Sequence, residues 1–89
     1  MNNEQQQINK AVKKGVNKIT AFAVEFKPKN GGHLSVEITS FNGVRVWLWS
    51  EDISLITDYH VYFPRSTKTI DNFNCKVETL IAEIERDYK

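Results

Sequence analysis

Cysteine is nearly absent. Cys75 stands alone, so the chain cannot close an internal disulfide, and a reducing compartment is expected. Two prolines and four glycines are too few for a linker or a low-complexity segment, and Gln5-Gln6-Gln7 is the nearest approach to one. Long apolar runs are missing as well: those around Phe22 to Val24 and Val46 to Trp49 reach about four residues, against the roughly 20 that cross a bilayer. No membrane partner is expected. The N-terminal stretch has no apolar centre of the kind a signal peptide needs, so the expected location is cytoplasmic. A dominant charge is also lacking. Twelve basic against eleven acidic residues leave a formal charge of +1, which gives neither a global attraction for nucleic acid nor an acidic, DNA-mimicking surface.

What is present suits one small soluble domain spanning residues 1–89, with 40 % hydrophobic and 26 % charged residues. Residues favoured by A+T-rich codons (Phe, Tyr, Met, Ile, Asn, Lys) number 34, against 13 of Gly, Ala, Arg and Pro. This composition is compatible with a phage or plasmid origin, in which case the host cytoplasm is the expected location.

Ile8, Ala11, Val12, Val16 and Ile19 fall at helical spacing, with Asn3 as the expected N-cap and an end between Lys14 and Asn17, near Gly15. Phe22, Val24 and Phe26 alternate with polar or small residues and read as a strand, followed by a loop over 28–32. Leu34, Val36 and Ile38 mark a second strand. Asn42-Gly43 is a type I′ hairpin signal that folds a third strand, Val44 to Trp49, straight back. A two-residue loop pairs Ile38 with Trp47 and Val36 with Trp49 on the core face. It pairs Phe41 with Val44, Thr39 with Val46 and Glu37 with Leu48 on the other. Residues 50–58 fit a helical turn, a strand or a packed loop, and Tyr59 to Phe63 reads as an edge strand stopped by Pro64. Ile70, Phe73, Val77, Leu80, Ile81, Ile84 and Tyr88 form the stripe of a final helix capped by Thr69, with Glu85 and Lys89 paired on its outer side. The expected fold is α+β: two layers, an antiparallel sheet of three to four strands, and the N- and C-terminal helices packed on one face.

Chemistry is scarce in this pattern. His33 and His60 lack the local spacing of metal ligands, and Cys75 falls opposite the apolar stripe of its helix, facing solvent. Asn30-Gly31-Gly32 lacks the Lys-Ser/Thr of a phosphate loop. Glu51-Asp52 and Glu83-Glu85 read as solvated charge rather than a catalytic pair. No metal, cofactor or catalytic residue is assigned, and the chain is expected not to be an enzyme.

Two surfaces remain. The first is the apolar ridge Phe41, Val44, Val46 and Leu48, which the expected register puts on the uncovered sheet face, beyond what monomers commonly expose. It points to a macromolecular partner, above all a protein, with a second copy of the chain as an alternative, and to a small accessory or inhibitor protein. The second is basic: Lys10, Lys13, Lys14, Lys18, Lys27 and Lys29 give residues 1–30 a net +4, whereas residues 31–63 carry −3. Such a patch can grip phosphates, so binding of duplex RNA or DNA is the alternative reading.

The order helix, three strands, helix resembles that of the double-stranded-RNA-binding domain. Gly32-His33 falls where that family keeps a Gly-Pro-x-His stretch in a hairpin loop, and Leu34 to Val46 with its Asn42-Gly43 turn is similar in pattern. The resemblance implies shape-based binding across two minor grooves. The family's lysine cluster at the start of the last helix is replaced here by Thr69-Ile70-Asp71-Asn72, so the likeness is one of topology.

Overall fold

The computed structural model describes residues 3–29, 31–39 and 42–88. Helix α1 (Asn3–Glu25) leads to strands β1 (His33–Thr39), β2 (Gly43–Trp49) and β3 (Leu55–Tyr62), then a 3₁₀ turn (Thr67–Thr69) and helix α2 (Ile70–Tyr88). The sheet is antiparallel in the order β1-β2-β3. Both helices cover the same face, α1 against β1 and α2 against β3, and they contact each other. The α+β architecture expected from the sequence is the one observed.

The helices run in the same direction. At their starts the Thr67 amide donates to Glu4 Oε2 at 3.3 Å, midway Lys18 Nζ meets Glu78 Oε1 at 3.0 Å, and at their ends the Lys29 amide donates to the Tyr88 carbonyl at 2.7 Å. Gly15 sits inside α1 at the crossing, where an added Cβ would lie 2.6 Å from the Phe73 ring. The intrinsic cost of a mid-helix glycine, about 1 kcal/mol, is thus exchanged for close approach of the two helices. Ile19, Val44, Val46, Val61, Phe73, Val77, Leu80 and Ile84 form the buried core.

Several expectations are corrected. Phe22 and Val24 belong to α1 and Phe26 follows directly on its last residue, so none of the three is in a strand. At i and i+4 the rings of Phe22 and Phe26 lie 5.1 Å apart, and the Phe26 amide donates to the Phe22 carbonyl at 2.9 Å, so helical contacts win over the period-two pattern. Gly32-His33 therefore stands at the start of β1, the element that follows α1, and not in a hairpin loop, which removes the motif that carried the RNA-binding likeness. Thr39 pairs with Gly43, so three residues rather than two separate the paired ends of β1 and β2, and Gly43 does not have positive φ. Residues 50–58 divide between a turn and the start of β3, giving three strands. Thr69 directly precedes α2 but ends a 3₁₀ turn whose own cap is Ser66: the Ser66 amide donates to Thr69 Oγ1 at 3.4 Å, and the Thr69 amide to the Ser66 carbonyl at 3.1 Å. The expected Glu85 pair with Lys89 lies outside the described residues at Lys89.

The longer connection reverses the faces of β2. Ile38 stands opposite Val44, Val36 opposite Val46 and Leu34 opposite Leu48. An odd shift in register moves every side chain to the other side. Val44, Val46 and Leu48 are consequently at most 1 % exposed, under the helices, and do not form an open ridge. Phe41, the fourth residue of that ridge, lies outside the described residues.

Candidate functional site

With the helices on one side, the opposite face of the sheet is uncovered, and its composition follows from the pairing. Four cross-strand rows run from β1 through β2 to β3: His33, Trp49, Leu55; Ser35, Trp47, Asp58; Glu37, Arg45, His60; and Thr39, Gly43, Tyr62. Aromatic groups occupy all four. His33 stacks on Trp49 with centroids 6.4 Å apart, and His60 packs against Tyr62 at 4.2 Å. The Trp49 indole N–H donates to Ser35 Oγ at 3.0 Å, which fixes that ring toward β1. The Arg45 guanidinium lies 4.8 Å from the centre of the Trp47 ring and reaches Asp58 Oδ2 at 3.4 Å. Both indoles are half-buried by these neighbours, while Tyr62 and Leu55 are exposed.

Beside the first row the turn from β2 to β3 is tied down. The Ser50 amide donates to the Ser54 carbonyl at 2.8 Å and the Ile53 amide to the Ser50 carbonyl at 3.0 Å. The Ser54 amide bonds both Ser50 Oγ, at 3.0 Å, and Asp52 Oδ1, at 3.3 Å, and the Ser50 hydroxyl also donates to Asp52. Hydrogen bonds from Ser50 and Ser54 hold the Asp52 carboxyl below its ordinary value. The brace keeps Ile53 at φ 65°, a conformation that β-branched residues avoid, and leaves its side chain 75 % exposed. The apolar end of the face, Trp49 and Leu55, thus continues into the Ile53 tip.

Comparison with protein-family models, with curated proteins and with solved structures finds no match.

The basic residues singled out from the sequence are all exposed. Lys10, Lys13, Lys14 and Lys18 spread over about 140° of the circumference of α1. Lys18 is engaged with Glu78, whose carboxyl is held low by Lys18 and Lys14, and Lys27 and Lys29 follow beyond the helix end. These six do not converge on one point. Cys75 is exposed, as its place on the helical wheel requires. His33 and His60 stand two strands and two rows apart, on the order of 16 Å. His60 lines a shallow groove with Glu83, yet among the described residues no hydrogen bond or ion pair joins either histidine to an acid. No group of three metal-ligating side chains occurs among the described residues, and no described helix is long and apolar enough to cross a membrane.

Sequence reasoning missed Trp47, Trp49, Arg45, His60 and Tyr62 as a surface set. One signal was available. Arg45 shares its side of β2 with both tryptophans, so putting the indoles in the core would carry an arginine in with them, at the desolvation cost of an unpaired charge.

Proposed function

We propose that this chain is a non-enzymatic binding module whose contact surface is the open face of the sheet around Trp47 and Trp49, and whose partner is a protein. One observation carries the reading: both aromatic side chains of β2 point away from the helices, in rows with Leu55 and Tyr62, on a face that no described element covers. Indoles and phenols supply large, stiff contact area at small entropic cost and dominate the energetics of protein interfaces. The charge on this side favours a protein over nucleic acid. Glu37 and Asp58 border the indoles, the turn adds Glu51 and Asp52, and Arg45 is already paired. A small accessory or inhibitor protein of a phage or plasmid, occupying the working surface of a larger protein, is the role this reading suggests.

The test is recovery of partners from native lysate on tagged protein, with and without nuclease, using the natural chain and Trp47→Glu. The substitution replaces a half-buried side chain outside the core and should leave the fold intact by circular dichroism. Expected is a protein recovered with the natural chain after nuclease treatment and lost with Trp47→Glu. Recovery that disappears with nuclease, or that is indifferent to Trp47→Glu but lost when Lys10, Lys13 and Lys14 are changed to Glu, overturns the reading in favour of the lysine surface.

A further inference from the structure

We infer that the occupant of this face is an extended cationic segment of a protein, with arginine or lysine side chains at alternate positions; the inference rests on the binding-module reading above. The structure already contains one such arrangement. The Arg45 guanidinium lies over the Trp47 ring at 4.8 Å while a carboxylate, Asp58, takes its Nη2 at 3.4 Å, so cation, indole and acid form a three-part contact. An indole face attracts a guanidinium through its ring quadrupole, and the attraction grows as water is excluded. The same parts recur along β2 without a cation to use them. Trp49 lies one row further on, Glu51 and Asp52 follow in the turn, and Glu37 stands opposite Arg45 with no ion-pair partner among the described residues.

Spacing fits the occupant. Successive rows on one face of a strand are about 6.8 Å apart, the interval at which an extended peptide presents every second side chain to the same side. A peptide lying along β2 can set one cation over Trp49 and another, two rows and four residues on, toward Glu37. Charge complementarity separates this occupant from the two competing ones. A phosphate chain meets Glu37, Asp58, Glu51 and Asp52 with no unpaired arginine on the face. A second copy of this chain would have to offer its lysines from α1, where they follow helical rather than extended spacing, and such a head-to-tail contact does not close into a dimer.

The experiment is a titration of the intact protein, followed by tryptophan fluorescence and calorimetry, with three probes: a Gly-Arg repeat peptide, a Gly-Gln repeat of equal length, and an oligothymidylate. Expected is saturable binding of the Gly-Arg peptide alone, weakened by added salt. Trp49→Ala and Glu37→Gln, each checked for native circular dichroism, should each weaken it about fivefold. Equal binding of the Gly-Gln peptide, preference for the oligothymidylate, or Gly-Arg binding indifferent to both substitutions overturns the inference. So does concentration-dependent self-association that Glu37→Gln abolishes. If the Gly-Arg peptide fails to bind at about 1 mM while Trp47→Glu still loses the lysate partner, the cationic preference falls and the docking face stands. If Trp47→Glu loses nothing either, both fall.

Discussion

At the scale of single residues, one described residue other than glycine holds a positive φ, and it lies beside the proposed contact surface. Ile53 holds φ at 65° although nothing packs on its side chain, so a branched residue is kept where a glycine or asparagine would be at ease. Strain of this kind costs of the order of 1–3 kcal/mol and survives only where neighbours over-determine it, here the Ser50, Asp52 and Ser54 bonds. Ile53→Gly should therefore raise stability by about 1 kcal/mol, net of the extra entropy glycine brings to the unfolded chain. The check is the urea midpoint at an unchanged slope. A lowered midpoint would mean that Ile53 contributes packing its exposure does not reveal. Some residue-scale features were readable from the sequence. The stripe from Phe73 to Ile84 and the outward Cys75 follow from helical spacing alone, whereas the positive φ of Ile53 is set by the Ser50, Asp52 and Ser54 bonds of the turn, which hydrophobic periodicity does not reveal.

Elements were legible in proportion to how unambiguous their period is. Helix α2 repeats its apolar side chains over five turns and was identified almost to its ends. Helix α1 was cut short, because Phe22, Val24 and Phe26 satisfy both a period of two and, for Phe22 and Phe26, an i, i+4 pair; the existing helix decided between them. The costliest ambiguity was the connection between β1 and β2. With apolar residues at both parities of β2, hydrophobic pattern cannot choose the inner face, and one more residue in the loop than Asn42-Gly43 suggested exchanges the two faces. The turn from β2 to β3 yields a pH prediction. Because the Asp52 carboxyl titrates below its unfolded value, its contribution to stability is fully present above that value and is lost as pH falls through the lowered one. The Ser54 amide resonance, bonded to Asp52, should accordingly shift in acid with a midpoint below the ordinary aspartate range. An ordinary midpoint would show that the serine bonds do not persist in solution.

For the whole molecule, a two-layer fold with both helices on one side commits half of the sheet to packing and leaves the other half free. The charges follow the same division. Half of the basic excess of residues 1–30 belongs to α1, on the helical side, and half to Lys27 and Lys29 just beyond its end, whereas the acidic excess of residues 31–63 belongs to the sheet and its turn, so the helical and sheet sides differ in sign. An uncovered face, rather than a cleft, is what this architecture offers for recognition, and its value depends on the two indoles being accessible before any partner arrives. Acrylamide quenching of tryptophan emission in the isolated protein measures that directly, since Trp47 and Trp49 are the only tryptophans. With the indoles on the open face, native protein should be quenched to a substantial fraction of the denatured value without loss of structure. Emission shielded from acrylamide until the chain unfolds would place both rings in the interior, as a two-residue hairpin loop would have done, and would contradict the account.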